Sequence, residues 1–186
     1  MASNDDRNVA GDLAQLEQAL PVVTDWIQRL LGSCARKARP VGELGLPALE
    51  RWFRPELLAT AKVVCVARVP APPLKELGLA RLEFPVGDGL QGITFGDTYF
   101  VRRAAANDPD LHFHELVHVI QWRHLGFRRF LRAYARELLE HGYDGNRFEQ
   151  MAYRLQRRMQ AGAAAFDVEA HVLAALAAQR DVPATS

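Results

Sequence analysis

Apolar side chains recur at helical spacing along the first part of the chain. Leu13, Leu16, Leu20, Val23, Ile27, Leu30 and Leu31 share one side of a helix, with Pro21 marking a break or a second start and Gly32 an end. Residues 1–10 are polar and are expected to fray. Arg36 to Gly45 reads as a connection. Pro47 to Trp52 or Phe53 reads as a short helical piece, and Pro55 as the first residue of another. The first turn of a helix does not use the N–H that proline lacks.

The period then changes. Val63, Val64, Cys65 and Val66 form an apolar, mostly β-branched run suited to a buried strand, ended by Pro70, Pro72 and Pro73. Leu82 to Val86 predicts a second strand, kept at a sheet edge by Pro85, which cannot donate to a ladder. Ile93 to Phe95 and Thr98 to Val101 flank Gly96-Asp97, the turn of a two-residue hairpin. From Pro109 onward the helical period returns over about 109–125, 127–141, 146–161 and 163–180, punctuated at Gly126, Gly142 to Gly145 and Gly162. Helices, a small antiparallel or mixed sheet, then more helices predict an α+β fold. In it an N-terminal helical segment, 1–60, packs on residues 61–186 within a single domain.

One helix carries polar residues where its surroundings demand apolar ones. In the segment 109–125, Leu111, Phe113, Leu116, Val117, Val119, Ile120, Trp122 and Leu125 wrap nearly all the way round, so this helix is expected to be buried. Asp108 and Pro109 suit its start, and Gly126 suits its end. Within it stand His114, Glu115 and His118. The two histidines lie one turn apart on the same face, from which both imidazoles reach one Zn²⁺ at about 2.0–2.1 Å. Glu115 sits about 100° round the helix from His114. From there it can take a proton from a water that zinc acidifies toward a pKa of about 7, and later deliver it to a leaving amine. A third protein ligand should leave one position open for water and substrate. Two histidines and a glutamate buried without partners would be costly, and a metal is the partner this pattern predicts. The plainer alternative is a pair of core histidines satisfied by neighbouring polar groups.

The string His114-Glu115-Leu116-Val117-His118-Val119-Ile120-Gln121 carries a resemblance when it is taken with its flanks. With Ile93-Thr94-Phe95-Gly96 before it and Gly142-Tyr143 and Asn146-Arg147-Phe148-Glu149 after it, it resembles the active-site region of small bacterial zincin-like metallopeptidase domains of the gluzincin type. The resemblance runs from about Gly92 to Tyr153 and does not extend to residues 1–60. It implies a zincin-like fold over 61–186, with the active-site helix followed by a C-terminal helical bundle, and hydrolysis of a peptide or amide bond. It also implies a third zinc ligand from an Asn-x-x-Glu-x-x-Ala string, here Asn146, Glu149 and Ala152. Arg147 departs from the pattern, which often has proline there.

The residues themselves leave that third ligand open. Glu149 follows His118 by 31 residues, enough for a helix and a turn to bring the chain back alongside. Asn146 and Glu149 equally satisfy a capping box, and His141, Asp144, Glu169 and His171 are other donors. Tyr143 fits either a hydrogen-bond donor to an oxyanion or a packed turn residue. His124 points away from the metal pair, and His112 is expected at the surface or behind the ligands.

Composition narrows the partners. With 186 residues, 49% hydrophobic, 24% charged and a formal net charge of +1, the chain can build a core but has no global charge to hold a nucleic acid or a membrane. The arginines at 128, 129, 132, 136, 154, 157 and 158 alternate with apolar residues such as Phe130 and Leu131, as on the wet face of amphipathic helices. Gly87-x-Gly89-x-x-Gly92 matches a dinucleotide-binding string but precedes a strand pattern, so no phosphate cradle is predicted. Cys34 and Cys65 lie outside any Cys-x-x-Cys spacing and are expected to be reduced and buried. Met1 to Asp6 carries no leader pattern and the longest apolar run, Val172 to Ala178, is too short to cross a bilayer, so the cytoplasm is the expected compartment.

The function these residues predict is zinc-dependent hydrolysis of a peptide or protein substrate. His114, His118 and Glu149 hold the metal, Glu115 acts as base and then acid, and the hairpin at Ile93 to Val101 offers an edge to an extended peptide. The rival is a zinc-stabilised helical binding or effector module without turnover. Glu115 argues against it, since a purely structural site has no use for a base.

Overall fold

A computed structural model of the chain describes residues 4–79, 82 and 89–178. The first helix, α1 (Asn4–Cys34), is longer than its apolar pattern implies: the polar start is helical, and the helix runs through Pro21 and past Gly32. Proline inside a helix removes one backbone hydrogen bond, here the one to the carbonyl of Glu17. Burial on both sides offsets the loss, with Leu16 and Leu20 before Pro21 and Val23 and Ile27 after it all in the interior.

The segment expected to be a mere connection contains a two-residue strand, β1 (Arg39–Pro40), and a 3-10 turn at Val41–Leu44. Helices α2 (Pro47–Glu50) and α3 (Pro55–Thr60) begin at their prolines as expected. The strands β2 (Lys62–Val66), β3 (Gly92–Phe95) and β4 (Thr98–Arg102) complete a four-stranded sheet in the order β1-β2-β4-β3. β2 runs parallel to β4, placing Val63 opposite Tyr99, while β3 and β4 form the antiparallel hairpin, with Thr94 opposite Tyr99. Its turn needs glycine at position 96, where φ is 68°. The sheet is therefore mixed. Leu82 lies in no strand, and the rest of the strand expected there falls outside the described residues.

Four helices follow: α4 (Pro109–Leu125), α5 (Phe127–Gly145), α6 (Arg147–Gln160) and α7 (Val168–Ala178). The Asp108 carboxylate accepts from the Asp110 amide at 3.0 Å and starts α4. Gly142, with φ of 69°, breaks α5 where the chain turns toward α6. The last helix begins later than its apolar period suggests, because the Asp167 carboxylate accepts from the Ala170 amide and caps it.

α4 lies at the centre, with every residue from His112 to Trp122 buried. Phe113 packs against Trp52 and Phe53, so the N-terminal helices and the later elements share one core. Strand alternation sends Thr94 and Tyr99 toward α4 and Phe95 toward Trp26 of α1. A smaller apolar cluster joins Leu16 and Leu20 of α1 to Leu79, Leu82, Ala135 and Leu138. Both cysteines are free, but neither is buried: Cys34 is half-buried and Cys65 is exposed, on the outward side of β2. Among the described residues no helix is long and apolar enough to cross a membrane.

Candidate metal centre

The helical pitch of α4 turns His114 and His118 to one side, and α6 brings Glu149 across to meet them. The two Nε2 atoms stand 3.0 Å apart. Glu149 presents Oε2 to His114 Nε2 and Oε1 to His118 Nε2, each at 3.2 Å. Donors around one tetrahedral zinc at about 2.0–2.1 Å would lie about 3.3 Å from each other. The three groups therefore stand close to the separation that a shared cation imposes, and all three are buried.

The outer ring nitrogens settle what the inner ones offer. His118 Nδ1–H donates to Gln121 Oε1 at 2.8 Å, and His114 Nδ1–H donates to Gln156 Oε1 at 3.3 Å. A carbonyl oxygen only accepts, so each Nδ1 carries a proton, and in its neutral form each ring turns an Nε2 lone pair inward. Gln121 is itself oriented, because its Nε2 donates to the Phe148 carbonyl at 3.2 Å. Two lone pairs and a carboxylate facing one another require a positive charge among them, from a metal or a proton. The titration follows: burial disfavours the His118 cation, yet the adjacent Glu149 carries its pKa up to about 9. Burial likewise disfavours the Glu149 anion, but His118 and His114 hold its pKa well below the usual carboxylate range.

Glu149 is also fixed from outside. Tyr134 donates to Oε1 at 2.8 Å and Tyr143 to Oε2 at 3.0 Å. Burial, and then the Glu149 charge, raise both phenols, so they remain protonated donors. The capping-box alternative resolves into two separate jobs: the Asn146 side chain accepts from the Phe148 amide at 2.9 Å, while the Glu149 carboxylate turns inward. Arg147 has its own role. Its amide and guanidinium both donate to the buried Glu137 of α5, tying down the start of α6. A proline at 147 would lose the amide donor.

Glu115 lies between this cluster and the sheet. Its Oε2 accepts from Thr94 Oγ1 at 2.6 Å, and burial raises its pKa. β3 approaches so closely at Gly92 that a Cβ there would stand 2.4 Å from Glu115 Oε1. His114, Glu115, His118, Tyr143 and Glu149 all border one cavity of about 120 Å³, whose remaining lining is mostly apolar and comes from α1, the connection before β3, β3, α4 and α5.

Of the residues singled out from the sequence, His114, His118 and Glu149 converge, with Glu115 and Tyr143 on the same cavity. His141, Asp144, Glu169, His171 and His124 stay outside this trio. Glu137, Glu140 and His141 also come together, but Arg147 already occupies Glu137. His112 is not at the surface, nor does it back the ligands. Its Nε2–H donates to the Ala106 carbonyl at 2.9 Å and its Nδ1 accepts from Tyr99 at 2.7 Å, pinning α4 to β4. Gln121, Gln156, Tyr134, Thr94 and Gly92 were not assigned roles from the sequence. Gln121 had a signal, one turn past His118 in a helix with no wet face. The others had none, since their partners lie on different elements.

Comparison with known protein families, curated proteins and solved structures finds no match for this chain.

Proposed function

We propose that the protein is a zinc-dependent hydrolase of peptide or amide bonds, of the zincin kind. Zinc held by His114, His118 and Glu149 would supply a Lewis acid and an acidified water. Glu115 then takes the water's proton and passes it to the leaving nitrogen. Burial suits it to that work by raising its affinity for a proton, and Thr94 fixes its orientation. Gly92, by lacking a side chain, leaves room for its carboxylate. Tyr143 borders the same cavity with its hydroxyl on the Glu149 carboxylate, and the reading takes it as the donor that would turn to a developing oxyanion. Among the described residues β3 ends the sheet order beside the same cavity, so an extended peptide could add along it.

One observation carries the reading. A buried carboxylate with a raised pKa adjoins a three-donor cluster and opens on the same cavity. A purely structural site closes with four protein ligands and needs no base.

The test measures zinc per chain and hydrolysis of a broad peptide library for the parent, Glu115→Gln and His118→Ala. The proposal expects metal in the parent and in Glu115→Gln, hydrolysis in the parent only, and neither in His118→Ala. Metal without hydrolysis in the parent would favour a zinc-stabilised binding module. A parent that takes up no metal would end the proposal.

A further inference from the structure

The two halves of α1 are anchored differently, and the boundary falls at Pro21. After it, Val23 and Ile27 belong to the main core, and Trp26 meets Phe95 edge-on with ring centroids 5.7 Å apart. Before it, Leu16 and Leu20 belong to the separate cluster with Leu79, Leu82, Ala135 and Leu138. Pro21 has no N–H to bond the Glu17 carbonyl, so the backbone ladder is weakest where the two anchorages meet.

The first half supplies two of the three α1 side chains, Leu16, Leu20 and Val23, that line the site's cavity. Leu16 and Leu20 line the cavity on which His114 and Glu115 open. Its polar attachments lie outside: Glu17 pairs with Arg132 of α5, and the Gln15 amide donates to the Leu77 carbonyl at 3.4 Å. The Glu17–Arg132 pair is bidentate, but it lies in solvent with side-chain exposures of 37% and 55%, so screening keeps its contribution modest. Lifting this half would break, among other contacts, a small apolar cluster, the Glu17–Arg132 clasp and the Gln15–Leu77 hydrogen bond, while Val23, Trp26 and Ile27 stay on the main core.

We propose that α1 up to Pro21 is a hinged roof over the metal-side cavity, and that it must lift to admit a substrate. The surface beneath it, with Ile93, Leu131, Ala135 and Leu138, is apolar, so an apolar peptide segment is what would take its place. The idea of substrate entry rests on the proposed hydrolase, but the hinge itself does not.

Thiol labelling of the full-length chain tests the hinge without any metal. In a Cys34→Ser/Cys65→Ser background, Ala135→Cys reports the cavity wall and Ala61→Cys the main core, both alanines being buried. Ala135→Cys should react at least about tenfold more slowly than the exposed Cys65 of the parent. Adding Glu17→Arg should speed it about fivefold, the scale of one exposed ion pair, and Arg132→Glu on top should return the rate toward its starting value. Ala61→Cys should not respond. A rate at Ala135→Cys that ignores Glu17→Arg, or an equal rise at Ala61→Cys, would overturn the roof. Zinc content of the parent is measured separately, so a failure of the metal chemistry and a failure of the hinge give different results.

Discussion

α4 and α6 face each other across the candidate metal centre and supply its three donors, yet they are built in opposite ways. α4 has no wet side: His112 to Trp122 are all buried. α6 buries a single stripe of Phe148, Met151, Ala152 and Leu155 and leaves Arg154 and Arg157 in water. Within that buried stretch a polar side chain must therefore find a partner inside: His112 meets Tyr99, Glu115 meets Thr94, and His118 meets Gln121. On α6 polarity is the ordinary condition, and Glu149 is the exception that turns inward. A histidine on the first helix is informative by itself, whereas a glutamate on the second becomes so only through what faces it.

The contrast can be broken by substitution. Phe113→Ala on α4 should lower the unfolding free energy by about 3–5 kcal/mol in urea denaturation, while Arg157→Ala on α6 should stay within about 0.5 kcal/mol. Similar values for the two would erase the distinction. Glu149→Gln should weaken zinc binding more than about a hundredfold in competition with a chelator, and an unchanged affinity would move the third ligand elsewhere. Gln121→Leu removes the acceptor that orients His118 and should weaken zinc binding by about tenfold or somewhat more, and by leaving the buried His118 Nδ1–H and Phe148 carbonyl unpaired it should also cost about 1–3 kcal/mol of stability.

A gentler lever is pH. Glu149 keeps a proton on His118 up to about pH 9 in the metal-free protein, so a metal must displace it at lower pH. Zinc affinity should rise about tenfold per pH unit between about pH 6 and 8, with one proton released per metal. The sign for stability is opposite. The raised pKa of His118 stabilises the metal-free fold fully below about pH 6.5, and that contribution fades as pH rises through about 9. A flat affinity profile would show that His118 carries no proton before the metal arrives.

Much of the fold was legible because it follows from neighbours in the chain. The prolines at 47, 55 and 109 start their helices, Gly96 makes the hairpin turn, and the strands at β2, β3 and β4 lie where β-branched and aromatic residues cluster. α1 was misjudged at Pro21 because a local penalty was overridden by contacts on either side of it. The short β1 was missed for a related reason: Arg39-Pro40 has no strand pattern and exists as a strand only through pairing with β2.

The convergence of His114 and His118 was written into the chain, since the pitch of any helix puts residues four apart on one side. Distance in sequence set the boundary of what could be read. Glu149 chooses between capping its helix and facing the histidines according to Tyr134, Tyr143 and His114, which lie on other parts of the fold. Thr94 grips Glu115, and Tyr99 holds His112 inside, across gaps that no local preference spans. Such contacts form only after packing has removed water from polar groups, and that expulsion belongs to the folded molecule as a whole.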